Sequence, residues 1–385
     1  MRGGVFKRLR WIIGLPALLV MVAIVAGCDR RSEWDEVKVT SEHVERLARD
    51  VKLDADQKRA AMDLLTAYQL QHAQALEKMS SYREAYERAI KAGETPEQKA
   101  HFAETTARYE RHCRALRDGL IVDLRSILTG PQEARWPRFE RWYRRGELLP
   151  KGTLHGESVD IERLIERFRP LGTREEAVDQ LIDEYSVEID AALTARQTLI
   201  ERRKPTGDAE MPPEAVAAAI ERMIDDEHQA RLRVRRVNFA FAERAAGLIE
   251  GDGAEQFRRA FDAAAYPEVF SRESADAAFG EVLRLEDLTD EQRGAIEQVR
   301  AEYEAALPDA NRRWAEGIRR GEDRLTARVL LARAREPGGP TDDDRGAREA
   351  LDLRARSRVA AVLTPAQRQR LSWASSTSGL PRVEF

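Results

Sequence analysis

The chain contains few cysteines, histidines and aromatic residues, and the low number of each argues against one class of functional site. Of its 385 residues, two are cysteine and six are histidine, while aromatic residues make up 6%. No two histidines stand four residues apart, the spacing by which one helix supplies two metal ligands. The sequence also lacks a Gly-x-Ser-x-Gly segment and a glycine-rich phosphate loop. We therefore expect no catalytic residues, no metal site and no cofactor.

The first 27 residues have the order of an export signal. Basic residues come first, an uncharged apolar run over 11–26 follows, and small residues precede Cys28. This order is typical of a processed signal peptide, with an uncleaved membrane anchor as the alternative. The ending Val25-Ala26-Gly27-Cys28 resembles the lipobox of bacterial lipoproteins. The resemblance implies that cleavage occurs before Cys28, that Cys28 is acylated, and that its lipid holds the mature chain at a membrane.

The mature chain implied by this resemblance is exported and acidic. Removing residues 1–27 takes away four basic residues and no acidic ones, so the formal net charge changes from −4 to about −8. An acidic chain outside the cytoplasm argues against a nucleic-acid partner. Asp29 resembles the signal that keeps some lipoproteins in the inner membrane, facing the periplasm. With Cys28 acylated, Cys113 has no cysteine to pair with, so stability must come from packing.

A repeat of about 117 residues organises the rest of the chain. Tyr68, Tyr185 and Tyr303 mark equivalent positions, 117 and 118 residues apart. Upstream of each tyrosine lies a helix-start signal, in which a capping side chain precedes a Gln or Glu by three residues. Downstream, each helix ends at a turn rich in proline and glycine, and a second long helix follows.

These patterns predict an all-α protein of three tandem, long antiparallel helical hairpins, each with a short closing helix. No segment shows the alternation of a strand. Short closing helices are expected at Pro131 and Pro365, since proline suits the first turn of a helix. The predicted divisions are a signal peptide, a tether and three helical repeats, over residues 1–27, 28–40, 41–160, 161–280 and 281–385.

Four segments match or nearly match a Leu-Thr-x-x-Gln pattern, at 53–57, 128–132, 288–292 and 363–367. In the first and third repeats the paired segments lie 75 residues apart and bracket a predicted hairpin. Such pairs look like the Spy/CpxP group of bacterial envelope stress proteins and related metal-resistance sensors, whose members are usually single short units. The resemblance implies a helical cradle for unfolded proteins or a regulatory partner, without catalysis. The motif residues are Thr129, Gln132, Thr289, Gln292, Thr364 and Gln367.

Two segments of mixed chemistry each allow two interpretations. Segment 136–145 either packs its aromatic rings under a hairpin with its arginines in water, or forms a partner-binding surface. Segment 225–228, Asp-Asp-Glu-His, could lend metal ligands, but we expect a solvent-exposed acidic face. The candidate partner-binding residues are Trp136, Arg138, Phe139, Trp142 and Tyr143.

The sequence thus favours a membrane-anchored, non-enzymatic helical protein that binds client or partner proteins in the bacterial envelope. A structural scaffold subunit of an envelope complex is one alternative. A periplasmic metal-responsive sensor is another, suggested by the metal-resistance relatives of the motif. The sequence leaves the partner and the oligomeric state open.

Overall fold

The computed structural model describes residues 39–168, 175–202, 213–270, 275–329 and 343–373. Within these ranges the regular elements are α-helices and one short 3-10 helix, with no β-strand. The prediction of an all-α chain is confirmed for this part of the sequence. Cys28 and the predicted signal peptide lie outside it.

Helices of very different length alternate along the chain. The 3-10 helix, Leu149–Lys151, follows α5. In chain order the α-helices are α1 (Ser41–Val51), α2 (Ala55–Lys91), α3 (Pro96–Ser126), α4 (Gly130–Glu133), α5 (Trp136–Leu148), α6 (Ile161–Phe168), α7 (Glu175–Glu201), α8 (Pro213–Ala246), α9 (Gly253–Ala265), α10 (Pro267–Phe270), α11 (Ala275–Leu283), α12 (Asp290–Asp323), α13 (Asp343–Val362) and α14 (Pro365–Gln369).

Side-chain caps fix where the long helices begin. At the start of α2, the Asp54 carboxylate accepts a hydrogen bond from the Gln57 backbone N–H at 2.8 Å. The Gln57 side chain in turn accepts one from the Asp54 N–H at 3.1 Å. The same reciprocal pair opens α3, α12 and α14. Each pair satisfies two N–H groups that the helix itself leaves without an acceptor.

The long helices pack in three pairs, α2 with α3, α7 with α8, and α12 with α13. The repeat tyrosines lie inside these pairs. Tyr185 is fully buried and donates a hydrogen bond to the Asn238 side chain at 3.1 Å. Tyr303 donates one to Asp352 at 2.8 Å, and Tyr68 is buried in the core around α2 and α3. Each tyrosine therefore helps to hold the first long helix of its pair in place.

The chain divides into two compact units, with the boundary between Leu148 and Leu149. In the first unit, α1 packs against α2 and α5, and its core includes Leu47 and Leu124, neither of which is exposed. Val39 is 1% exposed and belongs to this core. The predicted tether, 28–40, is therefore wrong at its end, because the folded unit already includes Val39.

The second unit contains the other two pairs of long helices. Helix α9 packs on α6 and α8, while α11 packs on α12 and α13. Phe279, Ile296 and Val359 form part of the core around α12 and α13. The second and third predicted repeats thus belong to one compact unit, a grouping that the predicted boundary at residue 280 did not anticipate.

Candidate functional site

The aromatic segment 136–145 forms most of α5 and belongs to the core of the first unit. Trp136 and Phe139 are 2% and 1% exposed, and Tyr143 is buried beside them. Of the two interpretations of this segment, the structure supports packing of the aromatic rings, and the partner-binding surface is wrong at these three residues. The spacing of three and four residues places them on one helix face, and that face packs inward rather than outward. Of the five candidate partner-binding residues, only Arg138 and Trp142 stay partly exposed.

The glutamines of the paired motifs meet across the helix pairs. Gln57 Nε2 donates to Gln132 Oε1 at 2.8 Å, and Gln132 Nε2 donates back to Gln57 Oε1 at 2.7 Å. Each amide also donates to a main-chain carbonyl, Gln57 to Ile127 at 2.8 Å and Gln132 to Lys52 at 2.9 Å. The start of α2 therefore lies beside the end of α3, and the two helices run antiparallel.

The third pair of long helices repeats this arrangement. Gln292 and Gln367 exchange amide hydrogen bonds of 3.0 and 3.3 Å. Gln292 also donates to the Val362 carbonyl and Gln367 to the Asp287 carbonyl, both at 3.0 Å. Each glutamine thus caps its own helix and joins the two ends of the pair. The motif residues are occupied by structural hydrogen bonds, which the sequence pattern alone did not reveal.

A buried ionic cluster lies in the second unit. The Glu157 carboxylate, 0% exposed, forms an ion pair with Arg196, 1% exposed. It also accepts hydrogen bonds from the Thr153 and Leu154 N–H groups at 2.8 and 3.1 Å. Arg231 lies 3.4 Å from the Glu157 carboxylate. Burying a charge is costly unless it is paired and hydrogen-bonded, and Glu157 has both kinds of partner.

His155 continues this cluster toward α10 and the end of α12. Its Nδ1 lies 2.8 Å from the Glu322 carboxylate, and its Nε2 contacts the carboxylate of Glu268. A carboxylate can only accept, so a doubly protonated ring satisfies both contacts. The hydrogen bond with Glu322 raises the pKa of His155 most strongly, while burial opposes that rise. Arg235 donates to the second Glu322 oxygen at 2.7 Å.

Segment 225–228 packs mostly against the end of α12, and within it only Asp226 is exposed. Glu227 and His228 are 6% and 5% exposed. His228 Nε2 lies 2.9 Å from the Glu322 carbonyl oxygen, and Asp225 accepts a hydrogen bond from the Ala327 N–H at 2.6 Å. The prediction of a solvent-exposed acidic face is therefore wrong at Glu227 and His228 and holds only at Asp226. The reason is that the C-terminal end of α12 supplies hydrogen-bonding groups for this turn of α8.

The far ends of α2 and α3 form an arm, defined as residues 80–112. No side chain in the arm is buried, whereas Met79 and Cys113 at its two boundaries are 3% and 1% exposed. The arm is held by stacked rings: the Tyr86 and Phe102 centroids are 3.9 Å apart, and those of Tyr82 and Phe102 are 5.8 Å apart. These side chains are half-buried and reach the surface.

The described ranges contain few other features that could form a functional site. No three His, Cys, Asp or Glu side chains there are arranged to hold a metal ion. Cys113 is a buried cysteine. No described helix combines the length and apolar character needed to cross a bilayer.

Comparison with known proteins returns no relative of this chain. No protein-family model matches it, and no curated protein or solved structure is similar to it.

Proposed function

We propose that this chain is a lipid-anchored, non-enzymatic protein that binds partner proteins in the bacterial envelope through its arm. The single observation that carries the proposal is the absence of any buried side chain over residues 80–112. Hydrophobic stabilisation grows with the apolar area removed from water, so an arm of two helices gains little of it alone. A bound protein would cover the arm and supply that missing burial.

The surface of the arm supports this role. Tyr82, Tyr86 and Ile90 follow one another at intervals of four residues, so they lie along one face of α2. The Ile90 side chain is 49% exposed. Tyrosine and large aliphatic side chains are the anchors that protein interfaces favour. The face is therefore suited to an apolar or aromatic segment of a partner.

We further propose that the three pairs of long helices are copies of one unit. The period of about 117 residues, the buried tyrosine in each pair and the two glutamine pairs support a common origin. The middle pair has no glutamine pair, because Glu176 occupies the position of Gln57 and Gln292. There, Tyr185 and Asn238 supply polar contacts between the helices.

The arm is tested by photo-crosslinking in living cells. A photoreactive phenylalanine analogue replaces Ile90, and in a matched control it replaces Val187, an aliphatic residue of α7 that is 53% exposed. We expect protein crosslinks from position 90 and few from position 187. One stoichiometric partner would support the scaffold role, and many unfolded clients would support a chaperone role. Equal yields at both positions, or none at position 90, would contradict binding through the arm.

The lipid anchor is tested separately. Replacing Cys28 by serine removes the thiol that acylation needs. We expect the Cys28→Ser chain to lose metabolic labelling by a palmitate analogue and to leave the membrane fraction. A variant that stays membrane-bound without a label would instead support the uncleaved anchor.

A further inference from the structure

A groove of the second unit, separate from the arm, lies between α9–α10 and α12. Its volume is about 360 Å³, within the range of pockets that hold small ligands. One wall is a stripe of α12 with Pro308, Arg312, Ala315 and Arg319 at intervals of four, three and four residues. This stripe presents an apolar floor flanked by two guanidinium groups.

The opposite wall carries a tyrosine whose ring is buried and whose hydroxyl forms no hydrogen bond within the described residues. Tyr266 is 3% exposed, and its ring stacks on His155 and meets Phe239 edge-on. Its hydroxyl forms no hydrogen bond with any residue that the structure describes, although Tyr266 lines the groove. The ring is held by its neighbours while the hydroxyl keeps access to the groove, so it is placed to donate to a ligand atom that accepts its proton.

Two charged side chains of the groove are also unpaired among the described residues. The Arg319 guanidinium forms no ion pair or hydrogen bond there, and its charge acts on Tyr266. Asp262 is likewise unpaired, and burial raises the pKa of its carboxyl group. The groove thus offers a cation on the α12 wall, and a hydroxyl donor and an acceptor on the opposite wall. Phe270 adds an apolar surface at its end.

We propose that this groove binds the C-terminal residue of a peptide with an apolar side chain. Such a residue carries a carboxylate, an apolar side chain and an N–H donor on one α-carbon. The carboxylate pairs with Arg319 and accepts the Tyr266 hydroxyl proton. The side chain packs on Phe270 and Pro308, and the peptide N–H donates to Asp262. This site does not depend on the arm, so either can fail alone.

The test measures binding of fluorescein-labelled peptides to the full chain in lipid nanodiscs by fluorescence polarisation. The first peptide ends in Ser-Leu-Phe with a free carboxylate, and the second ends in the same residues with a terminal amide. A third is a terminal amide with an internal glutamate, which separates a side-chain carboxylate from a terminal one. We expect the first peptide to bind at least about tenfold more tightly than the other two, since a charged hydrogen-bond acceptor is lost from the terminus.

Substitutions of groove residues test whether the peptide binds in the groove. Arg319→Ala should weaken the first peptide about tenfold, and Tyr266→Phe about fivefold, because each removes one donor to the carboxylate. Arg313→Ala is the matched control: Arg313 is an exposed arginine of the same helix outside the groove. Thermal unfolding establishes that all three variants fold. The proposal is overturned if the amide peptides bind equally, if no peptide binds, or if Arg319→Ala and Arg313→Ala behave alike.

Discussion

Replacing Gln57 by alanine gives a direct measure of what the glutamine pairs contribute. The Gln57 side chain takes part in four hydrogen bonds: one to its own cap, two with Gln132 and one to the Ile127 carbonyl. A typical protein hydrogen bond contributes about 0.5–1.5 kcal/mol net. We therefore expect Gln57→Ala to lower the free energy of unfolding of the first unit by about 2–4 kcal/mol.

The chain supplies a matched control for this change. Gln98 closes the cap of α3 by accepting a hydrogen bond from the Thr95 N–H at 2.8 Å, and it has no glutamine partner across the helix pair. Loss of such a cap alone costs about 0.5–1 kcal/mol. Urea denaturation of the chain from residue 29 onward, followed by circular dichroism, should separate Gln57→Ala from Gln98→Ala by at least about 1 kcal/mol.

A double-mutant cycle isolates the direct interaction between Gln57 and Gln132. Two reciprocal amide hydrogen bonds predict a coupling energy of about 1–2 kcal/mol. The same cycle on Gln292 and Gln367 should give a smaller value, because those bonds are longer, at 3.0 and 3.3 Å. Zero coupling in the first cycle, or equal losses for Gln57→Ala and Gln98→Ala, would refute the assignment of the motif glutamines as links between helix ends.

Three further changes probe the core of the first unit and the ionic cluster of the second. Glu157→Gln should lower the free energy of unfolding of the second unit by about 3–5 kcal/mol in urea denaturation, because it removes the buried charge with which Arg196 pairs. Phe139→Ala should cost about 3–5 kcal/mol and Arg138→Ala less than about 0.5 kcal/mol; similar losses would contradict the core position of the Phe139 ring. Because the pKa of His155 is raised in the folded protein, its protonated ring contributes its full stabilisation below a pH of about 6.5. This contribution is lost as the pH rises through the pKa of His155 in the folded state. Thermal melts at several pH values should therefore show this fall, and His155→Gln, which cannot be protonated to pair with Glu322, should remove it.

Local chemistry made the helix starts of this chain predictable. The side chains of a capping box are three residues apart and act on neighbouring N–H groups, so the sequence contains the whole interaction. Asp54 and Thr289 accordingly cap α2 and α12 in the structure. The link between Gln57 and Gln132 depends on where two distant helix ends meet. Their equal spacing in two repeats hinted at a shared role, but it did not identify a hydrogen bond.

Sites that are buried by segments distant in the sequence could not be predicted from the sequence. Charged residues make up 34% of the chain, so nothing in the sequence distinguishes Glu157 or Arg196 from the exposed charges around them. Only the approach of the segment around 157 to α7 and α8 buries that pair. The two interpretations of the aromatic segment stayed open for a related reason. The spacing of Trp136, Phe139 and Tyr143 defines one face of a helix, but not whether a core or a partner covers it.

The polar contacts also explain why two of the three helix pairs form one unit. Asn238 of α8 donates to the Gly156 and Glu157 carbonyls at 2.9 and 3.0 Å, which ties the segment around His155 to the middle pair. His155 and Arg235 then both bind Glu322 at the end of α12. A single glutamate therefore receives hydrogen bonds from α8 and from the segment around His155, which α8 holds in place. Because these contacts are specific in direction and partly buried, they fix the third pair against the middle one more sharply than apolar packing alone would.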